Sequence, residues 1–455
     1  MNDDERLDRE LRATLDGLAR EPAPERLVAR VSEIPSREPS TRTHGIRFHG
    51  SPRGFGSGFG LLAAGVAIAL LAILVRPGAG PGPGGGSPSL VPVPTVSPSS
   101  VAPSSSAVVV GTPTPTMGRT PVPAGFQPMS ATFVSTDEGW VLGSVPCSGV
   151  RCPAIVRTDD GGATWSSIAA PRTTVGSILA LGQGAHTGIA AVRFADRLDG
   201  WAFGPELWAT HDGGATWVRI AIEGLPKDAP VTTLEAAAGT VHTVLYDGAQ
   251  DFRIASSVVG IDAWRVASVR VPVGAGPVPR IQLVLSGTGG WVLENNRVVT
   301  AGARLDTGTW RSWQPVCLNV VGPAVLAASS STDLVAVCDV GLWGNPKGEH
   351  LFASTDGGAT SVEIGTPPPL SAATVATPDR STIVVAGVDP SGAALAASFD
   401  GGQTWSTVLH AGAASFADLG FTTPTQGIVV TADESGGAHL LMTHDGGRTW
   451  QAVTF

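Results

Sequence analysis

The stretch Thr210-His211-Asp212-Gly213-Gly214-Ala215-Thr216-Trp217 decides how this chain is read, because the same eight-residue phrase returns four more times. It is TDDGGATW at Thr158 to Trp165, STDGGATS at Ser354 to Ser361, SFDGGQTW at Ser398 to Trp405 and THDGGRTW at Thr443 to Trp450. All five fit S/T-x-D-x-G-x-T-W, except that Ser361 stands where the others carry tryptophan. Each residue type suits a tight hairpin. The aspartates (Asp160, Asp212, Asp356, Asp400, Asp445) can accept hydrogen bonds from N–H groups inside the turn. Gly162, Gly214, Gly358, Gly402 and Gly447, each with the glycine before it, supply the positive φ that a reversal needs. Trp165, Trp217, Trp405 and Trp450 open the following strand and bury a large flat surface under the hairpin.

A second phrase accompanies the first. Gly139-Trp140-Val141-Leu142-Gly143 returns as Gly200-Trp201-Ala202-Phe203-Gly204 and as Gly290-Trp291-Val292-Leu293. The pairing of a "GW" strand with this turn resembles the Asp-box, or bacterial neuraminidase (BNR), repeat of β-propeller proteins. Within that group it is similar to the photosystem II assembly-factor type, and in part to sialidase and sortilin propellers. The likeness covers roughly residues 125 to 455. It implies that the boxes are structural hairpins at the blade periphery, so it bears on fold much more than on activity.

The residue that opens each outer strand serves as a blade marker. Those residues are Trp165, Trp217, Trp264, Trp310, Ser361, Trp405 and Trp450, spaced by 52, 47, 46, 51, 44 and 45 residues. Seven near-equal periods of that length match four-stranded blades, so the expected fold is an all-β, seven-bladed β-propeller. Blade three holds a worn box in GIDAWRVA and blade four another in LDTGTWRSW, one residue short. That irregularity leaves six or eight blades as alternatives.

Toward the N-terminus the composition changes. Residues 77 to 124 are Gly, Pro, Ser, Thr and Val with almost no charge, which makes them a linker of mixed polyproline II and coil character. Residues 54 to 76 enclose the uncharged run Phe55 to Val75, FGSGFGLLAAGVAIALLAILV, long enough for a transmembrane helix. Arg37, Arg42, Arg47 and Arg53 precede it, and after Arg76 no Lys or Arg appears until Arg119. The positive-inside rule therefore places the N-terminus in the cytoplasm and the repeats outside, as in a single-pass protein of a bacterial-type cell membrane. A cleavable signal peptide is the alternative. Residues 1 to 53 form the cytoplasmic tail, with short amphipathic helices over 3 to 34 followed by disorder. Leu7, Leu11, Leu15 and Leu18 share one helical face, and Leu27, Val31 and Ile34 make another after Pro24. The helices are a candidate docking segment for a cytoplasmic protein. They resemble the start of membrane-anchored anti-sigma regulators, without the cysteines of the zinc-binding variety.

Residues 1 to 76 hold 11 Arg against 10 acids, whereas the rest of the chain holds 18 basic against 28 acidic residues. An acidic exported domain argues against nucleic acid or anionic lipid as its main partner. The four cysteines, Cys147, Cys152, Cys317 and Cys338, all lie on the exported side. An even number in an oxidising compartment favours two disulfides, with Cys147 pairing Cys152 and Cys317 pairing Cys338. No cluster of histidines accompanies them, so a zinc site is not expected and no metal or cofactor is called for.

The enzyme hypothesis that the boxes invite is an exo-sialidase-like glycoside hydrolase. Such an enzyme needs an arginine cluster, an acid/base carboxylate and a Tyr nucleophile paired with Glu. This chain has one tyrosine, Tyr246, in the third blade, and one weak echo of the sialidase Phe-Arg-Ile-Pro motif, Phe252-Arg253-Ile254-Ala255. One aspartate per blade on separate turns cannot converge on a substrate, and His211 and His444 occupy a variable surface position. No catalytic residue is assigned. The reading is a non-enzymatic, membrane-anchored, extracytoplasmic propeller that binds or assembles protein or glycan partners in the cell envelope. The alternatives are the glycosidase and a transmembrane sensor whose N-terminal helices report to a cytoplasmic regulator.

Overall fold

The GW strands lack the apolar-polar alternation of a half-exposed strand, so both of their faces have to be covered. The computed structural model describes residues 119–177, 187–274, 280–295, 299–317, 324–339, 348–389, 391–412, 415–433 and 437–455. They form seven four-stranded antiparallel sheets, each built from consecutive strands. This is a seven-bladed β-propeller, and the six- and eight-bladed alternatives fall away. The expected cytoplasmic tail, membrane helix and most of the linker lie outside the described residues. Among the described residues no helix is long and apolar enough to cross a membrane.

Blade one is β1 (Gln127–Phe133), β2 (Gly139–Cys147), β3 (Val150–Thr158) and β4 (Ser166–Ile168). Blade two is β5 (Ala191–Phe194), β6 (Gly200–Phe203), β7 (Leu207–Thr210) and β8 (Val218–Arg219). Blade three is β9 (Val231–Ala237), β10 (Thr240–Tyr246), β11 (Asp251–Val258) and β12 (Arg265–Pro272). Blade four is β13 (Ile281–Ser286), β14 (Gly289–Asn295), β15 (Val299–Asp306) and β16 (Thr309–Trp313). Blade five is β17 (Ala324–Ala328), β18 (Leu334–Asp339), β19 (Glu349–Ser354) and β20 (Val362–Gly365). Blade six is β21 (Ser371–Ala376), β22 (Ile383–Asp389), β23 (Gly392–Ser398) and β24 (Ser406–His410). Blade seven is β25 (Ser415–Phe421), β26 (Gly427–Ala432), β27 (Ala438–Thr443) and β28 (Gln451–Ala452). Each marker residue named above stands at the opening of a fourth strand; only Trp310 sits one residue inside it.

The core is divided among the seven seams between neighbouring blades. Alternate residues of one strand serve opposite seams: Trp140 packs with Phe194 and Ala202 of blade two, whereas Val141 packs with Val430 and Leu440 of blade seven. The glycine before each GW tryptophan is explained by close approach. A Cβ on Gly139 would lie 2.5 Å from the ring of Phe133, and one on Gly200 would lie 2.5 Å from the ring of Phe194, its partner across the strand pair.

Ring closure uses no shared sheet, since blades one and seven are each complete in themselves. Phe126 meets Phe455 edge-on at 4.9 Å, and Gln426 Nε2 donates to Thr136 O at 2.9 Å. Residues 119–124, assigned by composition to the linker, run along this seam: Ser167 N donates to Thr120 O, and Val122 packs into the core shared by blades seven and one. Inside the ring, Arg193 of β5 binds both carboxylate oxygens of Asp418 of β25, at 3.1 and 3.2 Å, and Glu235 of β9 at 2.8 Å. Asp418 also accepts from Ser130 Oγ and Ala131 N of β1. One guanidinium thus ties the innermost strands of blades seven, one, two and three. Burial works against its charge, yet Asp418 and Glu235 together raise the Arg193 pKa above its ordinary value.

The missing tryptophan of blade five is replaced from the neighbouring blade. Trp165, Trp405 and Trp450 each donate their indole N–H to the second glycine carbonyl of their own turn, at 3.1 Å. With Ser361 in that place, Trp313 of β16 in blade four donates to Gly358 O at 2.8 Å.

Two stability experiments test these links. Asp418→Asn leaves Arg193 short of a charged partner and is expected to cost on the order of 3 kcal/mol in chemical denaturation; a midpoint equal to wild type would remove the ring-closing role. Ser361→Trp is expected to stabilise only a chain that also carries Trp313→Ala, because the indole site is otherwise filled. An equal effect of Ser361→Trp with Trp313 present would show that the two sites are separate.

Candidate functional site

Strand direction alternates within each blade, so the ring has two unlike faces. The loops between first and second strands share a turn face with the repeated turns. The hairpins between second and third strands share the other, the hairpin face, with the connections from blade to blade.

On the turn face the five repeated turns are close copies. In the second, Asp212 accepts from Thr210 Oγ1 at 2.8 Å, from Thr216 N at 2.8 Å and from Thr216 Oγ1 at 2.6 Å, while Gly214 N donates to Thr210 Oγ1 at 2.9 Å. The first glycine of each turn, Gly161, Gly213, Gly357, Gly401 and Gly446, donates its N–H to the loop between first and second strands of the same blade. The hydroxyl and N–H of Thr216 hold Asp212 down to about 2, and those of Thr404 do the same for Asp400. Burial opposes the shift at Asp160 and Asp445, but hydrogen bonds still bring each to about 2, and Thr360 depresses Asp356 similarly. These aspartates stand one to a blade, with their lone pairs engaged by their own turns.

The worn boxes are something else. Blade four makes a two-residue hairpin through Thr307 (φ 46°) and Gly308 (φ 78°), both left-handed as a type I′ turn demands. Blade three turns at Val258–Asp262, and there Asp262 reaches out to its neighbour: it accepts from Trp201 Nε1 at 3.3 Å and lies 2.9 Å from His211 Nε2. His211 Nδ1 is 2.5 Å from Asp199, so this histidine, exposed as expected, also bridges two carboxylates. His444 is exposed, as expected.

Tyr246 and Arg253 do not come together. Leu245 stands opposite Arg253 and Tyr246 opposite Phe252 in the β10–β11 register. Leu245 belongs to the seam with blade two and Tyr246 to the seam with blade four, so the phenol and the guanidinium leave opposite faces of one sheet. The Phe-Arg-Ile-Ala echo is an ordinary strand, with Phe252 and Ile254 buried in the core. Among the described residues, no group of three His, Cys, Asp or Glu side chains is placed to hold a metal ion.

The hairpin face carries the differences between blades. In blade one, β2 and β3 are nine residues each, while β6 and β7 of blade two are four each. Five further residues past the common GW start raise the first hairpin by about 16 Å. Cys147–Cys152 crosslinks this projection, Arg151 braces it through Ser144 Oγ at 2.7 Å and Gly125 O at 3.1 Å, and Val150 at its tip is 66% exposed. The second disulfide, Cys317–Cys338, joins the connection entering blade five to β18. Both expected pairings are present.

Three buried carboxylates under this face had no motif to announce them. Glu206 accepts from Thr173 Oγ1 at 2.7 Å and Trp208 Nε1 at 2.9 Å, Glu294 from Gly274 N at 3.1 Å, and Glu349 from Ala372 N at 2.6 Å. Glu206 and Glu294 each anchor a blade-to-blade connection, and Glu349 anchors the start of β21. The one sequence signal is an acid beside or within an otherwise apolar strand, as in the WVLE of β14. Burial, helped by Asp339, pushes Glu349 up to about 7.

No family model matches this chain, and none of the curated proteins does. Among solved structures it is similar to YCF48 bound to D1 peptide, at 19% identity over 71% of this chain and 95% of that one, with a TM-score of 0.48. It is also similar to YCF48 from Cyanidioschyzon merolae, at 17% identity, 72% and 98% coverage and a TM-score of 0.49. A PL25 ulvan lyase matches at 14% identity, 72% and 95% coverage and a TM-score of 0.46. The assembly-factor type of propeller that the sequence resembles is among them.

A carboxyl raised by burial stabilises the fold below its unfolded pKa and loses that contribution as pH rises through its folded value. Glu349→Gln keeps an acceptor for Ala372 N without the charge. Thermal unfolding of this variant is expected to match wild type near pH 5 and to exceed it above pH 7, by roughly 2 kcal/mol. A difference independent of pH would place the charge elsewhere.

Proposed function

We propose that this chain is a single-pass membrane protein whose extracytoplasmic propeller binds a protein or peptide partner of the cell envelope on its hairpin face. The contrast between the two faces carries the reading. The turn face repeats one self-satisfied hydrogen-bonded turn in five blades, whereas the hairpin face has relief that differs from blade to blade, with a crosslinked and braced projection beside the low blade two. Recognition residues concentrate on loops held by a rigid scaffold, and a disulfide-stapled hairpin loses little freedom on binding. Two disulfides in one domain support an oxidising compartment, in keeping with export beyond the apolar run at Phe55 to Val75. The separation of Tyr246 from Arg253 weighs against the glycosidase reading.

Two arms test the proposal in intact cells. An impermeant thiol reagent is expected to label Ser99→Cys and to spare Ser36→Cys; the reverse pattern would invert the topology. A photo-crosslinking residue in place of Val150 is expected to yield a discrete protein adduct, and one in place of Leu198 on the turn face is not. Adducts only from the turn face would refute the assignment of the binding face, and release of the adduct by glycosidase treatment would make the partner a glycan.

A further inference from the structure

Each blade whose repeated turn is worn or lacks its tryptophan is held by a side chain from the blade before it. Trp313 serves blade five in this way, and the other two cases are histidines. His211 of blade two joins Asp199 of its own blade to Asp262 of blade three, at 2.5 and 2.9 Å. His242 of β10 in blade three receives the indole N–H of Trp310 of blade four on Nδ1 at 3.1 Å, with Ser256 Oγ at 2.6 Å.

The two histidines need opposite protonation states. His211 can donate to two carboxylates only as the imidazolium, because a neutral ring has one N–H and turns a lone pair toward the other oxygen. His242 can accept from an indole N–H only with a bare Nδ1, so protonation sets two N–H groups against each other. From these hydrogen-bond geometries we propose that blade three is a pH-responsive element of the ring, held at both seams only in a window bounded by the titration of His242 below and His211 above. Acid loosens its seam with blade four, and alkali loosens its seam with blade two.

The surroundings agree with this. Asp199, Asp196 and Arg197 lie on the loop before β6, Asp212 adjoins His211 in its own turn, Arg157 comes from blade one, Asp262 lies in the turn before β12, and Arg265 opens that strand. Burial lowers the His211 pKa, but hydrogen bonds to Asp199 and Asp262 outweigh it and leave it raised. Its contribution is therefore complete below the unfolded value and lost as pH climbs through the folded one. His242 sits among Ser256, Trp310 and apolar residues, with Glu235 opposite in β9 but bound to Arg193, and burial takes it down to about 4. The unfolded chain binds the extra proton first, so this seam weakens as pH falls below about 6.5.

Hydrogen exchange of the full-length chain, corrected for intrinsic rates and referred to blade one, whose residues 119–177 hold no histidine, tests the proposal. Peptides from 231–272 are expected to lose protection at both ends of the scale, with opening rising on the order of thirty-fold between pH 7.5 and pH 5. His242→Gln retains an acceptor that cannot be protonated and is expected to abolish the acid loss alone. His211→Arg retains a cation at high pH and is expected to abolish the alkaline loss alone. Protection over 231–272 that follows the other blades throughout overturns the proposal. So does a two-sided loss that both variants leave unchanged.

Discussion

Every blade is a four-stranded sheet with two apolar faces, and neither can be buried by the blade itself. That constraint organises the molecule. It makes the middle strands mostly apolar, distributes the core over seven seams, and forces the chain into a closed ring, because any open end would expose a full sheet face to water. Closure is the delicate step here, since the first and last blades exchange no strand. Arg193 supplies what a shared sheet would have supplied, a connection that fails as a unit: its guanidinium, Asp418 and Ser130 join three innermost strands of widely different sequence position, with Glu235 adding a fourth. A buried charge of this kind is favourable only while its partners are complete, so it fixes the register of closure as well as strengthening it.

The repeated turn has a local logic that does not depend on the ring. Its aspartate, its Ser or Thr and its following Thr satisfy one another within eight residues, which is why five copies with different neighbours adopt one geometry. Where the phrase decays, local satisfaction is lost and the neighbouring blade provides the missing group. Trp313 under Gly358, His211 against Asp262 and His242 under Trp310 all act across a seam from the earlier blade. Such repairs convert a local defect into coupling between blades. The two made by histidine also make that coupling sensitive to protonation, whereas the aspartate of each intact turn is ionised far below neutral pH.

This division of labour leaves the two faces with different capacities. A face built from one repeated, internally bonded turn offers a partner the same few groups over and over, most of them already engaged. On the opposite face, strand length, disulfide position and buried carboxylates all vary from blade to blade, with Glu206, Glu294 and Glu349 bonded there to Thr173, Gly274 and Ala372.

The sequence by itself determined the fold and its period. The eight-residue phrase, the GW strands and the spacing of the outer-strand residues are short-range patterns, and each reports a requirement met within a single blade. The two cysteine pairings were legible as well, from number and proximity along the chain. What only the tertiary structure decided are the relations between blades. Arg193 and Asp418 are 225 residues apart, and nothing in either neighbourhood marks them as a pair. His211 is a surface position in sequence and structure alike, and only the ring brings Asp262 beside it, while Tyr246 and Arg253 stand close in sequence and only the strand register sends them to opposite faces. The physical reason is common to all of these: a repeat encodes what each blade must do alone, whereas a seam is made by two surfaces whose sequences are written in different blades and meet only when the ring closes.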